Sequence, residues 1–293
     1  MIKSLEEFLQ FGNIIVLDGA MGTELDKRGF KGRGECNLSA PKAVIQVHKD
    51  YLAAGATAII TNTLTMNRIF IESHKVDVDV AAVNRAGATL AREAVRGNGG
   101  NAYVLGNLSS TGQLLEPYGD ISEKAAQESF AEQAQLLQEG GVDGFIIETM
   151  IDLREAVCAL KACKAVSALP VFVCMAYETE KNGGRTVMGN SAAECAGILA
   201  AEGASAIGAN CGSVDPLGMA KIVAALGQAT RLPLIAEPNA GKPRLAEGAT
   251  VFEMDVATFA SEVDSCLKAG GRILGGCCGT TPAHIRALSA RIS

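Results

Sequence analysis

Eight short apolar runs, each followed by a polar or glycine-rich loop and then an Ala-rich amphipathic stretch, constrain this 293-residue chain more than any other feature. The runs are IIVL (Ile14 to Leu17), AIIT (Ala58 to Thr61), YVLG (Tyr103 to Gly106), GFIIE (Gly144 to Glu148), VFVCMAY (Val171 to Tyr177), AIGAN (Ala206 to Asn210), PLIAE (Pro233 to Glu237) and RILGG (Arg272 to Gly276). Uninterrupted apolar strands are buried on both faces, as in a parallel sheet. The stretches between them read as helices over Pro41 to Ala54, Val80 to Arg96, Ser122 to Glu139, Leu153 to Val166, Ala192 to Glu202, Pro216 to Ala229, Asp255 to Ala269 and Pro282 to Arg291. Pro41 suits a first helical turn, Ser122 is a capping residue, and Gly55 and Gly140-Gly141 follow helix ends. Eight strands alternating with eight helices predict an α/β fold, a single-domain (β/α)8 TIM-type barrel over residues 1–293, rather than a doubly wound sheet. No G-x-G-x-x-G fingerprint follows the first strand, which counts against a dinucleotide fold. The longest loop, Gly19 to Ala40, is expected to cover or border the site.

The composition narrows the function classes. A formal net charge of −6 without a basic run argues against nucleic acid or an anionic membrane as partner. No segment approaches the ~20 apolar residues of a membrane span. The start, MIKSLEEFLQFG, is too acidic for a signal peptide. Nine cysteines without an export signal are expected to be reduced thiols in the cytoplasm rather than a disulfide framework.

Catalytic groups of such barrels stand at the C-terminal ends of the strands. These ends carry Asp18-Gly19, Thr61-Asn62-Thr63, Asn107 with Ser110-Thr111-Gly112, Glu148-Thr149, Tyr177-Glu178, Asn210-Cys211-Gly212, Glu237-Pro238-Asn239 and Cys277-Cys278. A barrel rim brings Cys211 to the pair Cys277-Cys278, so three sulfurs can converge on one metal ion and leave a fourth tetrahedral position open. The competing reading is a set of small buried hydrophobes, which suits Cys36, Cys158, Cys163, Cys174, Cys195 and Cys266 better. A redox turn at the vicinal pair is a further alternative, but it leaves Cys211 without a role. No strand ends in His or Lys, against a histidine triad and a Schiff-base aldolase. Three thiolates make zinc a poor activator of water but a good holder of a substrate thiol, which coordination deprotonates. Asp18 and Glu148 on the same rim suit an ammonium group, and the backbone of the glycine turn after Asp18 suits a carboxylate. Together these describe an amino acid bearing a thiol, and thiol alkylation as the reaction.

The ordered set DGAMGTEL (Asp18 to Leu25), TNTLTMNR (Thr61 to Arg68), STGQLLEPYG (Ser110 to Gly119), ETMIDLREA (Glu148 to Ala156), GANCG (Gly208 to Gly212), PNAGKP (Pro238 to Pro243) and GGCCGTTPAHI (Gly275 to Ile285) resembles the homocysteine S-methyltransferase family. The likeness spans nearly the whole chain and is greatest to the homocysteine-binding domain of cobalamin-dependent methionine synthase. It implies a zinc-dependent enzyme that methylates homocysteine to methionine, with Cys211, Cys277 and Cys278 as zinc ligands. It also implies that Asp18 and Glu148 hold the substrate amino group, that Gly19 approaches its carboxylate, and that Asn210 lies in the site. Three loops depart from the pattern: Ser109-Ser110 replaces a glycine-proline, GSVDP follows Cys211, and the first loop is reduced to GECNLSAP. These bear on the donor or the thiol accepted rather than on the zinc chemistry. Nothing in the sequence resembles the folate, cobalamin or reactivation domains, so the methyl group is expected from outside. A separate corrinoid protein carrying methylcobalamin is the favoured donor. The alternatives are a small donor such as S-methylmethionine or a betaine, or a subunit with little activity alone in a multi-protein corrinoid system.

Overall fold

The computed structural model describes residues 4–10, 13–246 and 249–292. The strands are β1 (Ile15–Val16), β2 (Ala58–Ile60), β3 (Tyr103–Leu108), β4 (Gly144–Met150), β5 (Val171–Met175), β6 (Ala206–Asn210), β7 (Leu234–Glu237), β8 (Arg244–Ala246), β9 (Ala249–Val251) and β10 (Gly271–Leu274). Eight of them form one parallel sheet in the order β1-β10-β7-β6-β5-β4-β3-β2. The outermost strands, β1 and β2, meet through Thr57 N–H donating to Val16 O at 2.8 Å, and the Thr57 hydroxyl accepts from Val16 N at 3.0 Å. The sheet is thereby nearly closed into the expected (β/α)8 barrel.

The helices begin and end where local chemistry places them. Asp79, Ser122, Asp152, Ser191, Asp215 and Asp255 each cap the helix that follows, their side chains accepting from backbone N–H groups of the first turn. Pro41 and Pro216 occupy first-turn positions. Glycines in the left-handed region, such as Gly141 and Gly203, turn the chain from a helix toward the next strand.

Each strand alternates its residues between two cores. Ile15, Leu105, Ile146, Phe172, Cys174, Ile235 and Ile273 fill the barrel interior. Val16, Val104, Phe145, Ile147, Val173, Ile207, Ala236 and Leu274 face the surrounding helices. This period of two is why the runs read as wholly apolar.

The connections after the strands hold more structure than the periodicity predicts. The loop from Gly19 to Ala40 contains two short helices, Met21–Lys27 and Cys36–Ser39, and another helix, Arg68–Ser73, follows β2. β8 and β9 form an antiparallel hairpin after β7. The N-terminal helix Leu5–Gln10 lies against the lower end of the barrel, where Leu5 is buried and Phe8 meets the Tyr103 ring edge-on at 5.6 Å. Among the described residues no helix is long and apolar enough to cross a membrane.

Candidate active site

The alternation that fills the barrel also builds its mouth. Two residues beyond Leu105, Ile146 and Ile235 come Asn107, Glu148 and Glu237, and Asn210 ends β6 beside them. All four are buried, and Asn210 pairs in register with Glu237. Cys174 on β5 lies in the electrostatic field of both Glu237 and Glu148, which places the two carboxylates above the apolar interior.

Three sulfurs converge at the rim. Cys211 Sγ lies 3.8 Å from Cys278 Sγ, Cys277 Sγ lies 4.0 Å from Cys278 Sγ, and all three are within 4.8 Å of one another. A tetrahedral zinc with bonds of about 2.3 Å sets its sulfurs about 3.8 Å apart, close to the spacings of Cys278 to Cys211 and to Cys277. Among the described residues this is the one group of three Cys, His, Asp or Glu with ligand spacing. The other six cysteines are free and buried, as packing residues should be.

Backbone geometry holds the tripod. Cys211 has φ +54°, an unusual conformation for a residue with a side chain, and it turns the thiol back over the barrel. Gly212 follows with φ +69°, and a Cβ there would lie 2.3 Å from Tyr177 O. Strand β7 and the Pro238-Asn239 turn tie the two cysteine loops together. Cys211 N donates to Glu237 O at 3.2 Å and Cys277 N to Pro238 O at 2.9 Å. Asn239 accepts from Cys278 N at 3.1 Å and donates to Gly212 O at 3.1 Å. Hydrogen bonds from the Cys211 and Cys277 thiols, in that order, favour the thiolate form of Cys278.

Next to the sulfurs stand three buried carboxylates. Glu148 accepts from Asn107 Nδ2 at 2.6 Å and Asn210 Nδ2 at 3.1 Å, and burial pushes its pKa up to about 7. Asn210 also contacts Cys277 Sγ at 3.7 Å, and its Oδ1 accepts from Thr149 N at 2.6 Å. It therefore links the carboxylate to the tripod. Thr149, like Cys211, has positive φ, at +59°. Asp18 accepts from Ile60 N at 3.0 Å, across the seam between β1 and β2, and burial raises its pKa well above the usual range. Gly19 sits so tightly that a Cβ would lie 2.6 Å from Thr280 Oγ1 and 2.9 Å from the Tyr51 ring. The first long loop borders the mouth as expected, with the Arg33 charge acting on Cys278 and the Arg33 carbonyl accepting from Asn62 Nδ2 at 2.7 Å.

Every residue assigned from the sequence is thus at one rim. The structure adds Glu237, Asn107 and Asn239, which stand at strand ends but carry no sequence signal beyond that position. Thr111, also at a strand end, is taken up by Glu155, which accepts from its N–H and its hydroxyl at 2.7 Å each.

The profile of a family described as homocysteine S-methyltransferase matches residues 15–292. The chain belongs to the homocysteine S-methyltransferase family. Among relatives in this family, methionine synthase of Mycobacterium tuberculosis is 28% identical over 298 residues, 96% of this chain and 25% of that protein. The chain therefore spans about a quarter of that relative's length. Betaine–homocysteine S-methyltransferase 1 of Mus musculus is 30% identical over 319 residues, 99% of this chain and 75% of that protein. The crystal structure of the metallated form of the homocysteine methyltransferase MmuM from Escherichia coli superposes with a TM-score of 0.80 at 25% identity, covering 99% of this chain and 100% of that one.

Proposed function

We propose that this homocysteine S-methyltransferase family member methylates the sulfur of homocysteine to give methionine, with zinc held by Cys211, Cys277 and Cys278. The observation that carries the reading is the tripod of sulfurs at zinc spacing beside buried carboxylates in one barrel mouth. Zinc in this tripod supplies a Lewis acid that keeps a substrate thiol ionised near neutral pH.

The chain's own residues do the rest. Asp18 and Glu148 receive the substrate ammonium, and the backbone after Asp18, at Gly19, approaches its carboxylate. Asn210 fixes the orientation of Glu148 and touches Cys277, so amino-group binding and sulfur binding are set at a fixed spacing. The substrate sulfur attacks the donor methyl carbon in line. The new S–C bond forms as the bond from methyl to donor breaks, and the electron pair of that bond leaves with the donor.

For the donor, the likeness to methionine synthase favours methylcobalamin on a separate corrinoid protein docked over the mouth. A second reading is favoured by the complete coverage of MmuM, a homocysteine methyltransferase matched along its entire chain, and by the betaine-using relative. On that reading a small donor such as S-methylmethionine or a betaine enters directly. The nine cysteines support a place among reduced thiols in the cytoplasm. The test is a screen of zinc-loaded protein and homocysteine against a methyl-corrinoid protein, free methylcobalamin, S-methylmethionine and glycine betaine, with methionine detected directly. Turnover only with the corrinoid protein supports the first reading. Turnover with a small sulfonium or betaine alone supports the second, and turnover with none overturns both.

A further inference from the structure

Glu237 is 2% exposed, and neither of its carboxylate oxygens has a hydrogen-bond partner. Its two neighbours in the mouth differ: Asp18 accepts from Ile60 N, and Glu148 accepts from two side-chain amides. The Asn107 Oδ1 atom is also buried without a partner, while its Nδ2 is committed to Glu148. Three acceptor atoms are therefore unmatched on the inward-facing layer, on β3 and on β7, the strand that leads into the Pro238-Asn239 clamp.

A buried carboxylate without a partner is costly and is retained where something else answers it. Gly275, just after β10, packs against Glu237: a Cβ at Gly275 would lie 3.5 Å from Glu237 Cγ, an ordinary contact. Along β7, Ile235 points into the barrel and Ala236 outward, so position 237 faces inward by the period of the strand. Glu237 also belongs to the clamp, since its carbonyl accepts from Cys211 N at 3.2 Å. Its main chain is thereby held against that of Cys211.

Acceptors without donors select a ligand that is all donor. A primary ammonium carries three N–H donors and no acceptor, whereas a carboxylate or phosphate would meet only repulsion here. We infer that Glu237 is a specificity-determining anchor for the substrate's α-ammonium group. This inference rests on the homocysteine reading above and deepens it. Asp18 and Glu148 receive the ammonium on lone pairs beyond those hydrogen-bonded within the protein, and Glu237 adds a third acid whose two oxygens have no protein partner. The site thus distinguishes amino thiols from thiol acids of the same length.

The test compares homocysteine with 4-sulfanylbutanoate, its analogue without the amino group, by calorimetric titration of the zinc-loaded protein. Glu237→Gln keeps shape and removes charge, and Glu237→Leu removes all acceptors. Both variants are checked for zinc content and thermal midpoint. The expected result is a loss of about ten- to hundredfold in homocysteine affinity, from losing a hydrogen bond to a charged group. The analogue's affinity changes by less than about threefold, and the ligand-free midpoint rises because an unpartnered buried acid has been removed. Equal losses for both ligands, or an unchanged homocysteine affinity, would overturn the inference while leaving the homocysteine reading intact. If the wild-type protein binds the analogue but not homocysteine, both are overturned together.

Discussion

The barrel interior has two levels built from the same strands. The lower level is Ile15, Leu105, Ile146, Phe172, Ile235 and Ile273, sealed beneath by Leu5 and Phe8. The upper is Asn107, Glu148, Asn210 and Glu237, with the sulfurs of Cys211, Cys277 and Cys278 beside them. The two are separated by one inward step along a strand, two residues or about 6.6 Å. The lower level is dry and satisfied by packing alone. In the upper the acids and amides are buried and the three cysteines half-buried, with two left-handed residues that carry side chains and with unmatched acceptors. The first holds the strands together, and the second uses that rigidity to keep costly groups in place.

Substitutions that separate the levels test this division. The largest effect is expected from Cys277→Ser, which removes one leg of the tripod. Activity should fall by several kcal/mol of barrier, on the order of a thousandfold, with zinc content falling in metal analysis while the far-ultraviolet spectrum is unchanged. A Cys277→Ser variant with full zinc and full activity would erase the proposed metal centre.

Phe172→Ala acts on the lower level. It should cost about 3–5 kcal/mol of stability in urea unfolding, because a fully buried ring leaves a cavity that closely packed strands cannot close. Zinc bound per folded molecule should stay the same. Should zinc be lost in proportion to stability, the two levels are not separable.

Asn239→Ala probes how the upper level is held. Asn239 touches Gly212 and Cys278 across the two cysteine loops, so its removal should weaken zinc by about ten- to hundredfold in chelator competition, as expected for a group that orients ligands. An unchanged affinity would show that strand geometry alone sets the tripod.

The smallest effect lies outside both levels, in the layer of helices. His48 is fully buried with both ring nitrogens unpartnered, and burial pushes its pKa down to about 3. The unfolded chain, with the ordinary value near 6.5, binds the proton first, so stability is full above about pH 6.5 and declines as pH falls toward 3. The slope approaches about 1.4 kcal/mol per pH unit for one proton. Urea unfolding at pH 7, 6 and 5 should show this loss in the wild type and a shallower one in His48→Gln. Parallel curves would remove His48 as the cause.

Much of the fold was legible because its signals are local. The inward and outward faces of a barrel strand are both apolar, so each strand is a short unbroken run, and the caps at Ser122, Asp152 and Asp255 mark helix starts within one residue. The strand AIGAN spans Ala206–Asn210 as read, and the helix Leu153–Val166 matches at both ends. The helices inside the loop from Gly19 to Ala40, and the helix Leu5–Gln10, were not legible. Each is too short to display a period and is stabilised by its contacts with the barrel rather than by its own residues.

The site divides the same way. Sequence alone determined the eight-fold alternation, the position of Cys211, Cys277 and Cys278 after apolar runs, and the acids Asp18 and Glu148 at strand ends. Their chemistry is carried by residue type and by distance from a strand. Only the tertiary structure decided that Asn210 joins Glu148 to Cys277, that Asn239 clamps two loops, and that Glu237 is buried with both oxygens unmatched. Those are relations between strands distant in the chain, and they exist only once the sheet has closed and brought β4, β6, β7 and β10 to one rim.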